Sequence, residues 1–124
     1  MGIIYHMASV PDWEQARRDG QYTTSTHGRS LAEEGFIHGS TADQLAAIAN
    51  MIYKGLPDLV VLVIDTDRVR PEIRYEHVPG WDAPFPHIYG PLNADAVMGT
   101  RTLVPGPDGE FSFGAAGDHV EHRS

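Results

Sequence analysis

The sequence predicts a single α+β domain with two principal helices, and three stretches carry that reading. Leu45, Ile48, Ala49 and Ile52 fall at i, i+3, i+4 and i+7, which sets one apolar stripe along a helix from about Thr41 to Tyr53. Leu59 to Ile64 is a continuous apolar run rich in β-branched residues, the pattern of a strand covered on both faces. Ile73, Tyr75 and His77 alternate with Arg74 and Glu76, as in a half-exposed strand. At 124 residues the chain suits one hydrophobic core rather than two.

Taken in order, Ile3, Ile4 and Tyr5 are strand formers, and His6 is expected to close that strand. Ser9 then reads as a helix N-cap, with Pro11 in the first turn and Asp12 three residues on. Trp13 and Ala16 share a face, Arg17 and Arg18 suit the C-terminal end of the dipole, and Gly20 stops the helix. Gln21 to Arg29 is polar and aperiodic, which reads as a surface loop with His27 a bystander. Ser40 is placed as the N-cap of the second helix, with Asp43 as its partner, and Gly55 and Pro57 end that helix.

After the buried strand, Asp65 to Arg68 is turn chemistry. Val78 to Pro86 combines proline, glycine and aromatics, the composition of a packed loop. Phe85 to Leu92 is an extended piece whose prolines favour an edge or a turn, and Val97 to Val104 is a last strand. Phe111 and Phe113 close the expected domain at residues 1–113, and 114–124, with His119 and His122, reads as a flexible tail.

The totals exclude several functions. Hydrophobic residues make up 41% and charged residues 21%, which is globular rather than disordered. There is no cysteine, so disulfides, thiolate metal sites and cysteine nucleophiles are all absent. Seventeen acidic against nine basic residues give a net charge of -8, and with scattered arginines this argues against direct nucleic-acid binding. No basic leader or long apolar run precedes the first strand, so the expectation is a cytoplasmic chain without a membrane span.

The chemistry is expected around Leu31 to Gln44. Phe36 and Ile37 lead into His38, Gly39 is expected to let the backbone turn, and a helix begins just after. His38 would then stand beside unpaired amides at a helix start, a place suited to an anion or a polarised ligand. His6, His38 and His87 each border a short apolar segment, and neighbouring strands would bring them to one cleft with Tyr5, Ser40, Tyr89 and Glu76. The alternative gives each histidine a structural hydrogen bond. No pair of them has a metal-ligand spacing, and neither GxSxG nor a phosphate-cradling glycine motif occurs.

Ile4-Tyr5-His6, Ser30 to Thr41 and Pro86 to Leu92, in that order, resemble the domain-of-unknown-function 952 family. That resemblance implies an ADP-ribosyltransferase-like fold: a small, mixed, mainly antiparallel split sheet with an NAD cleft. It implies NAD as a substrate rather than a permanently bound cofactor, and a small nucleotide as the partner. His6 is then similar to the histidine that holds the NAD ribose, and His38 and Ser40 to residues bordering the nucleotide. Glu76 and His87 compete for the third, catalytic position, and Tyr5 or Tyr89 would stack on a flat base. The alternative is a binding module that keeps the cleft without turnover; a metal-dependent hydrolase is a third reading.

Overall fold

The computed structural model describes residues 2–26, 29–52, 59–102 and 121–122. Within them the chain is an α+β fold of three helices and small antiparallel sheets. Strand β1 (Ile3–Ser9) runs straight into helix α1 (Val10–Asp19). Ser9 is extended at φ -76° and ψ 150°, its Oγ accepts the Asp12 amide at 3.2 Å, and Gly20 at φ +84° ends the helix with its N–H on Ala16 O. His6 is therefore mid-strand rather than at the strand's end, because Met7 and Ala8 continue the pairing.

The expected loop from Gln21 to Arg29 is instead built of short strands: β2 (Gln21–Tyr22), β3 (Thr24–Thr26) and β4 (Arg29–Ser30). Tyr22 and Ser25 are both buried, so the polar composition hid a segment held by tertiary partners. His27 lies outside the described residues. Helix α2 (Leu31–Glu34) follows, with a reciprocal cap between Ser30 and Glu33 and a left-handed Gly35 at φ +88°. Strand β5 (Ile37–His38) leads to helix α3 (Ala42–Ile52), whose first helical bonds end on Thr41 O, so Thr41 and not Ser40 is its N-cap. Tyr53, Gly55 and Pro57 fall outside the described residues.

Strand β6 (Leu59–Asp65) lies between β1 and β10 (Val97–Thr102), antiparallel to both. Its two faces explain its continuous apolar run. Val60, Leu62 and Ile64 meet Trp13, Ala16, Tyr22, Ile37 and Ile88, whereas Leu59 and Val61 meet Leu45 and Ala49 of α3. Asp65 turns the chain as expected, accepting the Asp67 amide at 2.9 Å.

A second sheet pairs β7 (Glu72–Glu76), β8 (Phe85–Tyr89) and β5, with β8 in the middle. The prolines around β8 pointed to an edge, but Pro86 leaves the pairing with β7 intact. Its carbonyl faces past the end of β5 to accept the Gly39 amide, and its missing N–H points to that same side rather than at β7. Strand β9 (Leu92–Asn93) pairs with β2, and β11 (Glu121–His122) adds to the edge of β10. Phe111, Phe113 and His119 lie outside the described residues. Among the described residues no helix is long and apolar enough to cross a membrane.

The two larger sheets meet at Gly39. A Cβ there would lie 2.8 Å from Pro86 O and 3.3 Å from Pro86 Cγ, and its φ is not positive. Gly39 is thus required for close approach rather than for turning. Gly39→Ala is expected to cost about 1–3 kcal/mol, as overpacking does; an unchanged urea midpoint would show that β8 yields freely.

Candidate functional site

The segment His38-Gly39-Ser40-Thr41 spends its backbone groups on joining elements. Gly39 N–H donates to Pro86 O at 2.9 Å, Ser40 and Tyr5 exchange two bonds of 2.8 Å, and Thr41 N–H donates to Gln44 Oε1 at 3.0 Å. The amides that follow His38 are therefore paired. The anion nest expected beside His38 is not formed by these three groups, because the strand-to-helix turn is itself part of the sheet junction.

His6 is 2% exposed and donates from Nδ1 to His38 O at 2.5 Å. A carbonyl can only accept, so the neutral ring carries its proton on Nδ1 and its bare Nε2 accepts the Tyr22 hydroxyl at 3.1 Å. Burial lowers the His6 pKa to about 4, so the ring is neutral near pH 7. His6 thereby fixes the carbonyl of the residue that carries the next imidazole.

His38 and His87 are register partners across β5 and β8, with ring centroids 5.4 Å apart. His38 Nε2 donates to Glu34 Oε1 at 3.2 Å, and Arg29 holds the other Glu34 oxygen at 2.9 Å. The His38 bond is the main cause that keeps the Glu34 carboxyl below the usual carboxylate value. His87 is buried, lies flat on Phe36 at 4.1 Å, and donates from Nδ1 to Glu76 Oε1 at 2.8 Å. The Tyr89 hydroxyl donates to that same oxygen, which lowers the Glu76 pKa and raises that of Tyr89. Arg74 covers the Tyr89 ring at 4.6 Å. These side chains form the face of the second sheet opposite Ile37, Ile73 and Ile88, which enter the core.

A cavity of about 350 Å³ opens between β1, β5, α3 and the loop before β8. Its polar lining is His6, His38, Glu34 and Ser40. Its walls are Met7 of β1, Ile48 and Met51 of α3, and Val78, Trp81 and Phe85. Trp81 meets Phe85 edge to face at 5.0 Å.

The structure thus brings His6, His38 and Ser40 to one cavity, and sets Glu76, His87 and Tyr89 on the sheet face that His38 shares, packed around Phe36 and beside His38. Tyr5 is half-buried and packs toward α3. Glu34 and the apolar walls escaped the sequence reading. Glu34 stands four residues before His38, but Gly35 ends the helix between them, so the pair meets through a chain reversal that no single period describes. Among the described residues, no group of three or more His, Cys, Asp or Glu is arranged to hold a metal ion.

The sequence profile of one family, described as "Protein of unknown function (DUF952)", matches residues 7–100. The crystal structure of CC0527 from Caulobacter crescentus is 28% identical over 90% of this chain and 94% of that one, with a TM-score of 0.79. Its solution NMR structure is 29% identical over 89% of this chain and 91% of that one, with a TM-score of 0.73. No curated protein matches the chain.

The buried His6 makes folding pH-dependent. Its folded pKa lies below the unfolded value of 6.5, so its contribution is complete above pH 6.5 and is lost as pH falls toward 4. The loss is roughly 3 kcal/mol. Urea unfolding of the wild type should weaken over that window more steeply than that of His6→Gln; parallel slopes would mean that His6 is freely protonated in the fold.

Proposed function

The chain belongs to the DUF952 family of proteins of unknown function, and on that premise we propose that it binds NAD or a related nucleotide in the His38 cavity and transfers the ribosyl-linked group. One observation carries this reading: a single cavity is lined both by aromatic and apolar side chains and by a carboxylate, an imidazole and a hydroxyl. A flat base faces Trp81 and Phe85, and its ribose hydroxyls face His38 and Ser40. At about 350 Å³ the cavity is near the lower end of ligand pockets, which suits one base and its ribose, with the rest of a dinucleotide along the mouth.

In the transfer, the bond from ribose C1′ to the leaving base breaks with its electron pair going to the base. The acceptor nucleophile bonds to C1′ and gives up its proton to water. Positive charge develops on the ribosyl ring, and a carboxylate opposite that ring stabilises it. We assign that carboxylate to Glu34, which lines the cavity, rather than to Glu76. Glu76, His87 and Tyr89 hold the rings of Phe36 and His38 in place.

A second reading, a nucleotide-binding module without turnover, is favoured by one detail. Both Glu34 oxygens already accept bonds, from His38 and Arg29, which leaves the carboxylate less free to meet a developing cation.

Thermal shift with NAD, ADP-ribose and nicotinamide tests the site. Ligand at 100 times its Kd stabilises by about 2.7 kcal/mol. The NAD shift is expected in the wild type and expected to vanish in His38→Ala and Trp81→Ala. Release of nicotinamide that is lost in Glu34→Gln supports transfer; binding without release supports the module. No shift with any of the three ligands overturns both.

A further inference from the structure

Gln44 does more than start a helix. It is 6% exposed, and its Oε1 accepts the Thr41 amide at 3.0 Å while its Nε2 donates to Pro84 O at 3.0 Å and Ala83 O at 3.4 Å. One side chain therefore ties the N-cap of α3, next to Ser40, to a loop some 40 residues further along the chain.

That loop needs a tie. From Val78 to Pro84 it contains no strand, and its own backbone supplies a turn in which Trp81 N–H donates to Val78 O at 3.1 Å around Gly80 at φ +90°. It carries Val78 and Trp81, two of the cavity's wall residues, and leads into a third, Phe85. Ile48 and Met51 of α3, the helix whose first turn holds Gln44, line the same cavity.

The residue type is informative. At the third position of a helix, glutamate caps the N-cap amide as well as glutamine does and also suits the helix dipole. Only the carboxamide can in addition donate to two carbonyls, since a carboxylate only accepts. We infer that Gln44 is a positioning residue that latches the Trp81 loop to α3, and so sets the width of the cavity and the access of a flat ring to it. The latch itself stands on the geometry; its consequence for a ligand rests on the nucleotide reading given above.

Q44E separates the two roles, because it keeps the acceptor for Thr41 and loses the donor for Ala83 and Pro84. NMR relaxation is expected to give order parameters for the Trp81 indole and the loop amides that fall from about 0.85 to below about 0.6, with α3 unchanged. Unchanged loop order overturns the inference. If Q44E does not fold, the wild type decides: the Gln44 carboxamide protons should exchange more slowly than those of the exposed Gln21, and equal exchange overturns the latch. The Kd for NAD is expected to rise roughly tenfold in Q44E, because the loop must then be ordered on binding. If the loop loosens but NAD binds neither protein, the nucleotide reading fails and the latch stands. If NAD binds both proteins equally and the loop stays rigid, the latch fails and the nucleotide reading stands.

Discussion

The fold depends on one backbone junction, where the segment from His38 to Ser40 pairs with β8 on one side and with β1 on the other. Gly39 donates to Pro86, Ser40 exchanges two bonds with Tyr5, and the His38 carbonyl accepts a hydrogen bond from the buried His6. Removing any of these partners would leave a buried polar group unsatisfied, so the junction holds both sheets in one arrangement. The glycine follows from it, because a side chain at residue 39 would press on the Pro86 carbonyl. The neutrality of His6 follows as well, since a ring enclosed between Tyr22 and the His38 carbonyl cannot be hydrated as a cation.

The same junction sets the character of the candidate site. Backbone amides that could have gathered an anion are consumed in joining the sheets, so recognition falls to side chains. Two carboxylate–histidine pairs, Glu34 of α2 with His38 of β5 and Glu76 of β7 with His87 of β8, stand around the Phe36 ring. They are not equivalent. Glu34 and His38 line the cavity, whereas the second pair lies beside them on the sheet face that His38 shares, with His87 buried. The first pair is part of the cavity lining, and the second packs against the rings of Phe36 and His38.

Sequence periodicity reached the elements whose partners are near in the chain or whose faces are plainly apolar. Helix α1 with its Ser9 and Gly20 caps, the stripe of α3, the twice-covered β6 and the turn at Asp65 were all legible. The short strands between Gln21 and Ser30 were not, because their burial comes from β9, the Phe36 carbonyl and one another rather than from their own apolar pattern. Helix α2 did carry a local signal, Ser30 and Glu33 three apart with Gly35 beyond, but four residues show no period. The shift of the α3 cap from Ser40 to Thr41 has a similar origin, since Ser40 is claimed by Tyr5 across the junction.

The sequence by itself determined the class of fold, the absence of cysteine chemistry, the acidic charge and the prominence of His38, because composition and local spacing carry these directly. It also marked His6 and His87 as companions of His38. Only the tertiary structure decided what each does: His6 is enclosed and neutral, His38 meets Glu34 at a cavity, and His87 is held by Glu76 on the same sheet face. It alone brought Trp81, Met7 and Met51 to the same cavity and gave Gln44 its second partner. The physical reason is that identical imidazoles differ only in what surrounds them, and those surroundings come from strands and loops far apart in the chain.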